Sequence, residues 1–440
     1  MFSSKSTKDN VKGNSNKDTV VAIDIGTHKV RLLAGKKVDG DLAKAIYYGE
    51  KDSRGIVSGS VCDLSRISEC LSALVQDYEQ KTQSALTHCN IGISGRHIES
   101  CNEKGSSVVT SGVVTQQDKT KAIELASAVK IKEGNHIIHV IPQNYEVENN
   151  AAITNPIDLH AMRLDVNVHL ISCSIDQENN FRTAIQKLSP NVEIDNVIYS
   201  GLAAADAVLT DAQKELGVCL IDFGEGTVDV CVYEKKKLII SFSLDRGGQR
   251  ITEAIASEFH IPTQYAQYIK EQYGVAYREF LTPEDQLKQY RINASFTEGI
   301  DNNILVERGR LADVIQASVM DIFQSICSNI EKFTRYRTDY LQLSAGFVIT
   351  GGGALLKGIE TLAARGLNPS DNSGLVGVKI GTPIGYETHE SLSSPEMAVP
   401  IGLMNYSPVV DEDSHGDEAI PKTKVGSMFK GIVDWFKKEF

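Results

Sequence analysis

Two similar segments about two hundred residues apart constrain the fold of this chain more than any other feature of its sequence. TVVAIDIGTHKVRLLAG begins at Thr19, and GVCLIDFGEGTVDVCVYE begins at Gly217. In each segment an apolar strand ends in Asp, a glycine turn containing Thr follows, and the next strand alternates apolar and polar residues. The duplication predicts two related α/β lobes, each opening with a β-hairpin whose turn faces the other lobe.

Length, charge and cysteine usage narrow the class of protein. A chain of 440 residues is expected to form two or more domains, because one hydrophobic core rarely grows so large. A formal charge of −12 argues against nucleic-acid binding. The polar N-terminus is not a secretory signal, and no run approaches the roughly 20 apolar residues that span a bilayer. The eight cysteines lack CxxC pairs, which favours reduced thiols in a cytoplasmic protein.

Changes of pattern along the chain predict its division into segments. Helical periodicity is expected over residues 64–83 and 311–337, and residues 197–209 form one connection between the lobes. The predicted segments are a disordered N-terminus (1–17), the first lobe (18–85 and 166–199), an inserted subdomain (86–165), the second lobe (200–250 and 310–405), a charged helical insertion (251–309), a flexible linker (406–425) and an amphipathic helix (426–440).

The two glycine turns are typical of phosphate-binding loops. Glycines let backbone N–H groups approach phosphate oxygens, and a Thr hydroxyl can donate as well. The strand-end carboxylates, Asp24 and Asp222, can each hold Mg²⁺ through water. One such turn is common in unrelated hairpins, but two copies in one chain predict a clamp that closes on one ligand.

A third glycine cluster follows the apolar strand AGFVIT. Gly351, Gly352 and Gly353 precede a helix that is expected to begin near Leu355. A glycine turn at such a junction gives a ligand ring close backbone contact beside a helix N-terminus. The alternative is an ordinary connection between a strand and a helix.

Together these elements resemble the actin, Hsp70 and sugar-kinase superfamily. More specific segments are similar to the FtsA family of bacterial cell-division proteins: SRGIVSGSVCDL, IGISGRHIES, VIPQNYEVENNAAITNPIDLHAMRLDV, AGFVITGGGALLKGIETLA and the terminal FKKEF. The resemblance implies an actin-like, ribonuclease-H-like duplicated fold of two lobes. It makes residues 86–165 the inserted subdomain 1C, with subdomains 1A, 2A and 2B around it.

The resemblance also implies a function. FtsA proteins bind ATP with Mg²⁺, polymerise, and tether the tubulin-like protein FtsZ to the inner face of the cytoplasmic membrane at the division site, where other division proteins join. Such a protein is at most a weak ATPase, and no catalytic residue is assigned. The nucleotide-binding residues implied are Asp24, Gly26, Thr27, His28, Lys29, Asp222, Gly224, Glu225, Gly226, Thr227, Gln267, Lys270, Gly351, Gly352 and Gly353.

Some of these positions depart from the family pattern or have two interpretations. Glu225 stands where the family has glycine, Gln267 where it usually has Glu, and Ala254 where Asp is frequent. An unpaired carboxylate about 4 Å from a phosphate costs ~4 kcal/mol at an effective dielectric of ~20, whereas a carboxylate that points out of the cleft costs little. Lys29 either reaches a phosphate or is solvated. Both pairs of alternatives stay open at this point.

The last fifteen residues, GSMFKGIVDWFKKEF, predict an amphipathic helix in which Ser427 can act as N-cap. At about 22 Å it is too short to span a bilayer, but it can lie at a membrane surface. The alternative is a helix docked on the protein, which the acidic linker disfavours. The residues expected at the membrane are Met428, Phe429, Ile432, Val433, Trp435, Phe436, Lys437, Lys438 and Phe440.

Other functions and sites have less support. A small-molecule kinase, a chaperone of the Hsp70 type and a pilus-assembly actin homologue share the fold, but none explains the terminal helix. Zinc at His136 and His139 is disfavoured, because residues three apart on a strand point to opposite faces. The resemblance places a surface for the FtsZ tail on residues 251–309 together with the start of the next helix. There, Arg308 and Arg310 are either partners of that acidic tail or solvated.

Overall fold

The structure is a computed structural model that describes residues 19–38, 41–148, 150–188, 191–294, 302–335, 341–367 and 377–407. The predicted disordered N-terminus, the linker beyond residue 407 and the amphipathic helix of residues 426–440 lie outside the described residues.

The strands are β1 (Thr19–Ile25), β2 (Lys29–Val38), β3 (Asp41–Asp52), β4 (Ile56–Val57), β5 (Ser60–Val61), β6 (His88–Ile93), β7 (Glu99–Val108), β8 (Asn135–Val147), β9 (Asn150–Ile153), β10 (Arg163–Ser174), β11 (Glu193–Tyr199), β12 (Val218–Phe223), β13 (Val228–Glu234), β14 (Lys237–Leu244), β15 (Gln289–Ala294), β16 (Asn302–Glu307), β17 (Phe347–Thr350) and β18 (Val378–Ile380). The α-helices are α1 (Leu64–Thr82), α2 (Gln116–Ser127), α3 (Ile175–Gln186), α4 (Ser200–Val208), α5 (Asp211–Leu216), α6 (Gly248–Phe259), α7 (Thr263–Tyr273), α8 (Pro283–Gln286), α9 (Arg308–Thr334), α10 (Ile359–Gly366) and α11 (Ala398–Asn405).

The duplicated segments form the centre of two matching sheets. In the first lobe the strand order is β11-β6-β1-β2-β3, and in the second it is β14-β13-β12-β17-β18. Strand β1 pairs antiparallel with β2 and parallel with β6, and β12 pairs in the same way with β13 and β17. The repeated pattern therefore predicted both the two lobes and their hairpins correctly.

The two long predicted helices are present with small shifts at their ends. Helix α1 begins where Asp63 accepts hydrogen bonds from the amides of Ser65 and Arg66, as an N-cap should. Helix α9 begins three residues before the predicted Leu311, at Arg308. Its apolar face lies in a hydrophobic core with one face of the second sheet and with α6, α7 and α10.

Helices α4 and α11 form a layer between the two sheets. Helix α11 packs on α4 and on strands β1, β2 and β6, while α4 packs on β12 and β13. The two helices approach closely, since a Cβ at Gly402 would be 2.9 Å from Cα of Ala203. Assigning all of residues 310–405 to the second lobe was therefore wrong at the C-terminal end, because α11 covers the first sheet. Its uniformly apolar sequence shows that it is buried but not against which lobe.

The inserted subdomain is a separate sheet of order β7-β10-β8-β9, covered by α2. Its predicted bounds, residues 86–165, differ from this sheet at both ends. Strand β6 belongs to the first lobe, and β10 continues in the inserted sheet to Ser174. The apolar run of β6 indicates a strand, but its parallel pairing with β1 is a long-range contact that a local pattern does not reveal.

The inserted subdomain contacts the outer edge of β14 through side chains rather than through strand pairing. The amide of Asn102 donates to the carbonyl of Ile239 at 2.8 Å, and that of Gln143 donates to Leu238 at 2.7 Å. The His169 ring joins the Ser241 hydroxyl at 2.8 Å. An edge strand that would otherwise expose unpaired carbonyls is thereby covered.

Acidification is expected to destabilise this junction. Burial lowers the pKa of His139 to about 4 and that of His169 to about 3. In the unfolded chain both titrate near ~6.5, so between these values the unfolded state binds more protons and the free energy of unfolding falls as the pH falls. Denaturant unfolding between pH 7.5 and 5 should show this slope.

Matched variants locate the effect. His169→Gln should flatten the slope by about one proton, whereas the exposed His160→Gln should leave it unchanged. An unchanged slope in His169→Gln would show that the ring is not held neutral by its surroundings.

Candidate functional site

The turns of the two central hairpins lie against each other across the cleft between the lobes. Each turn is closed by the same backbone bond: the amide of Gly26 donates to the carbonyl of Lys29 at 3.1 Å, and that of Gly224 donates to Thr227 at 3.0 Å. A Cβ at Gly226 would be 2.7 Å from the Cβ of Thr27, which is closer than two non-bonded carbon atoms approach in proteins. The duplicated motifs therefore face one common space.

Three carboxyl groups lie on the strands that flank these turns. Asp24 is half-buried, and Asp222 and Asp229 are 7% and 2% exposed. Burial raises the pKa of Asp24 to about 6, against the lowering effect of Arg31, and raises the pKa of Asp222 well above its usual value, with Asp229 and Asp24 adding to the shift. Burial likewise raises the pKa of Asp229 to about 6. Carboxyl oxygens are the ligands that Mg²⁺ prefers, so this group could hold that cation.

Arg31 is a largely buried cation of this region that the sequence motifs did not indicate. Its guanidinium donates to Glu396 at 2.8 Å and to Glu50 at 3.3 Å, and its side chain is 11% exposed. Lys29 also pairs with Glu50. The ammonium of Lys29 is thus neither free in solvent nor free to reach a phosphate in this structure. The spacing of Arg31 on β2, pointing to the same side as Lys29, was the available signal.

The third glycine cluster lies against the second hairpin. Gly351 has a φ of +80°, and a Cβ there would be 2.8 Å from the carbonyl oxygen of Phe223. At Gly352, by contrast, a Cβ would meet no atom within 4 Å, so this residue borders open space. The predicted helix start near Leu355 was wrong: a short 3-10 turn spans Gly352–Leu355, and α10 begins at Ile359. Gly358, which has a φ of +82°, lies between the 3-10 turn and α10.

Glu225 has an ion-pair partner that neither of the two interpretations from the sequence included. Its carboxylate accepts bonds from the ammonium of Lys270 at 3.0 and 3.2 Å. Lys270 also donates to the carbonyl of Gly248 at 3.1 Å, and its side chain is only 7% exposed. The negative charge in the second turn is therefore matched by a positive charge within the protein.

The neighbouring helices complete this wall of the cleft. The Thr252 hydroxyl donates to Gln267 at 2.6 Å, so the amide of Gln267 is held between α6 and α7. Ala254 is half-buried on α6. His28, in the first turn, lies 3.9 Å from Glu271 on α7. This pair is a contact between the lobes at the exposed mouth of the cleft.

The two histidines considered for zinc have different partners. The Tyr199 amide donates to His139 at 2.9 Å, whereas His136 is 2.6 Å from Glu178. The ligand atoms of His136, Cys173 and Glu178 lie within 4.8 Å of one another. Arg182, however, donates to the same carboxylate at 2.6 Å. Burial alone would raise the pKa of Glu178, but His136 and Arg182 lower it to about 2, so this carboxylate is already paired within the protein.

Among the helices that the structure describes, none is long and apolar enough to cross a bilayer.

Comparison with known proteins agrees with this architecture. Residues 95–172 match the family described as the SHS2 domain inserted in FtsA, and residues 219–402 match the family described as cell division protein FtsA. The cell division protein FtsA of Escherichia coli K12 is 28% identical, with 96% of this chain and 98% of that protein covered. FtsA of Buchnera aphidicola from Acyrthosiphon pisum is 30% identical, with 96% and 98% covered.

Among solved structures, a chain of the PilM–PilN type IV pilus biogenesis complex is similar in fold. Its TM-score is 0.58 at 14% identity, over 88% of this chain and 97% of that chain, so the likeness shows the fold alone. Fold and site together define a two-lobed, actin-like α/β protein with an inserted subdomain. Because a 30% identical relative is covered almost completely, the chain belongs to the FtsA family of cell-division proteins.

Proposed function

We propose that this chain binds ATP with Mg²⁺ in the cleft and acts as a membrane tether for division proteins. The observation that carries the nucleotide part is the contact of the two glycine turns, Thr27 against Gly226, in front of Asp24 and Asp222. Backbone amides and threonine hydroxyls there suit phosphate oxygens, and the carboxylates suit a hydrated Mg²⁺. The bound cation supplies positive charge that offsets the phosphates.

The remaining residues of the cleft suit the nucleoside. Gly352 borders open space in which a flat ring can approach the backbone. Gln267 and the carboxylate of Glu225, fixed by Lys270, offer acceptors for ribose hydroxyls. The proposal assigns no catalytic residue. ATP is then a ligand that controls the angle between the lobes and, through it, self-association.

The tethering part of the proposal rests on family membership and on the terminal sequence. Apolar burial of residues 426–440 at the membrane supplies most of the affinity, and polymerisation multiplies it by avidity. The FtsZ tail, other division proteins and a second copy of the chain are the proposed partners. On the proposed FtsZ surface, Arg308 and Arg310 already pair with Asp285 at 3.5 Å and Glu258 at 2.7 Å, so an acidic tail would compete with these carboxylates.

Liposome co-sedimentation with labelled ATP tests the proposal. The full chain is expected to pellet with vesicles and to carry ATP with it in the presence of Mg²⁺, and more protein should pellet as ATP promotes assembly. A chain that ends at residue 425 should stay in the supernatant while still binding ATP, because the nucleotide site lies in the globular body.

A matched pair of variants separates the apolar face from general effects of the helix. Trp435→Ser should reduce pelleting about tenfold, since a large apolar ring is lost, and Lys430→Ser should change it little. Pelleting that persists in the truncated chain would reject the membrane anchor. If the pelleted protein carries no labelled ATP even when ATP is added at millimolar concentration, the nucleotide site is rejected.

A further inference from the structure

The short β4–β5 hairpin places a third turn beside the two phosphate-facing turns. Ser58 and Gly59 both have positive φ, +45° and +74°. The amide of Gly59 donates to the hydroxyl of Thr27 at 3.3 Å. A Cβ at Gly59 would be 2.5 Å from the carbonyl oxygen of Ser94 and 3.0 Å from the methyl group of Thr227. This glycine therefore lies where both phosphate hairpins and the loop after β6 meet.

The hairpin is fixed to the first lobe on both sides of the turn. The amide of Ser53 donates to the carbonyl of His28 at 2.8 Å, which ties the end of β3 to the first phosphate turn. The amides of Cys62 and Asp63 donate to the carbonyl of Gly55 at 2.8 and 3.1 Å. Asp63 in turn caps α1. A turn held at these points presents its amide in a fixed position.

The chemistry of a hydroxyl gives this amide a consequence. A threonine hydroxyl has one proton to donate and lone pairs that accept. When Oγ1 of Thr27 accepts the Gly59 N–H, its own proton is left to donate to a third group. Accepting one bond also strengthens the hydroxyl as a donor. A phosphate oxygen of the proposed ATP could accept this proton.

We propose that Gly59 is a positioning residue of the phosphate site: its amide orients the Thr27 hydroxyl so that the proton points to a phosphate oxygen. The inference rests on the proposed binding of ATP and adds a residue that lies outside both phosphate hairpins. Glycine is required at this position because any Cβ would displace the Ser94 carbonyl and the Thr227 methyl group.

The Gly59→Ala variant tests this inference against a matched control, Gly112→Ala. Both glycines have a φ of +74°, so alanine strains the backbone equally, but a Cβ at Gly112 meets no atom within 4 Å. With purified full-length chain and Mg²⁺, Gly59→Ala should bind ATP and ADP about tenfold more weakly, the effect of one lost hydrogen bond to a charged group. Adenosine binding should not change, and Gly112→Ala should bind all three like the unaltered chain.

A double-variant cycle shows whether Gly59 acts through Thr27. Thr27→Val should weaken ATP binding and Thr27→Ser should not, while adding Gly59→Ala to Thr27→Val should have little further effect. A full additional loss in the double variant, or an equal loss of adenosine affinity in Gly59→Ala, would overturn the inference. If the unaltered chain binds no ATP, the proposed function fails with it, whereas equal ATP affinity of the Gly59→Ala and Gly112→Ala variants rejects this inference alone.

Hydrogen exchange offers a measurement that needs no change at Gly59, should its variant fail to fold. The Gly59 amide should exchange slowly in the full chain and in Thr27→Ser, and faster in Thr27→Val, which lacks the acceptor. Equal exchange in all three would show that the Thr27 hydroxyl does not hold this amide and would also overturn the inference.

Discussion

Replacing Glu225 with glycine is expected to destabilise the second lobe and to weaken ATP binding about tenfold, although the change removes a negative charge from the cleft. The Lys270 ammonium is 7% exposed and would lose the carboxylate that it contacts at 3.0 Å. Removing one partner of a buried ion pair leaves the other charge uncompensated, which lowers the free energy of unfolding by about 3 kcal/mol. The Lys270 ammonium would then move toward solvent or toward the proposed phosphate site, and the surface proposed to face the nucleoside would change shape.

Denaturant unfolding and titration with labelled ATP measure both effects. Glu225→Gln and Lys270→Met, alone and combined, form a cycle in which the double variant should be more stable than the sum of the single losses predicts. The exposed pair of Arg250 and Glu253, 3.6 Å apart on the same lobe, provides a control: Glu253→Gln should change stability by less than ~0.5 kcal/mol. Much tighter ATP binding by Glu225→Gly would mean that the carboxylate faces the phosphates after all.

Gly226→Ala is expected to weaken ATP binding more than a hundredfold while leaving each lobe folded. The added methyl group would overlap the Thr27 hydroxyl and come within 2.7 Å of its Cβ, so the two turns could no longer close on one phosphate group. The backbone of Gly226 does not have the positive φ that favours glycine. The clash therefore acts between the lobes rather than within the hairpin.

Gly377→Ala is the matched control for this prediction. Gly377 directly precedes β18, at the opposite end of the paired strands from Gly351, and a Cβ there meets no atom within 4 Å, so unfolding temperature and ATP affinity should stay near those of the unaltered chain. Small-angle scattering should show a wider separation of the lobes for Gly226→Ala than for Gly377→Ala. Equal ATP affinities for the two variants would place the phosphate site away from the contact of the turns.

Local sequence patterns were sufficient for the elements that contain their own signals. Each of the two central hairpins is indicated by an apolar strand, an Asp and a glycine turn, and both hairpins have the expected strand pairing. Helix α1 is indicated by its N-cap residue, Asp63, and by the helical spacing of its apolar residues. Such features depend on residues within one short window, where backbone geometry and amphipathicity dominate.

Features that depend on long-range contacts could not be predicted in the same way. Glu225 pairs with Lys270, 45 positions away in the sequence, and Lys29 on β2 pairs with Glu50 on the neighbouring strand β3. A sequence shows that these residues are charged, but which charge each one meets follows only from the packing of the lobes. The same reason explains the shifted bounds of the inserted subdomain, where β6 returns to the first sheet.

The position of α11 has a mechanical consequence for whatever the C-terminal residues bind. The described chain ends at Ser407, directly after the helix that is packed between the two sheets. In the proposed movement of the two lobes about this layer, a load on the following segment acts on either lobe with a short lever arm. Under the proposed function, closing of the cleft on ATP then does little work against the membrane attachment, and tension on that attachment does little to open the cleft.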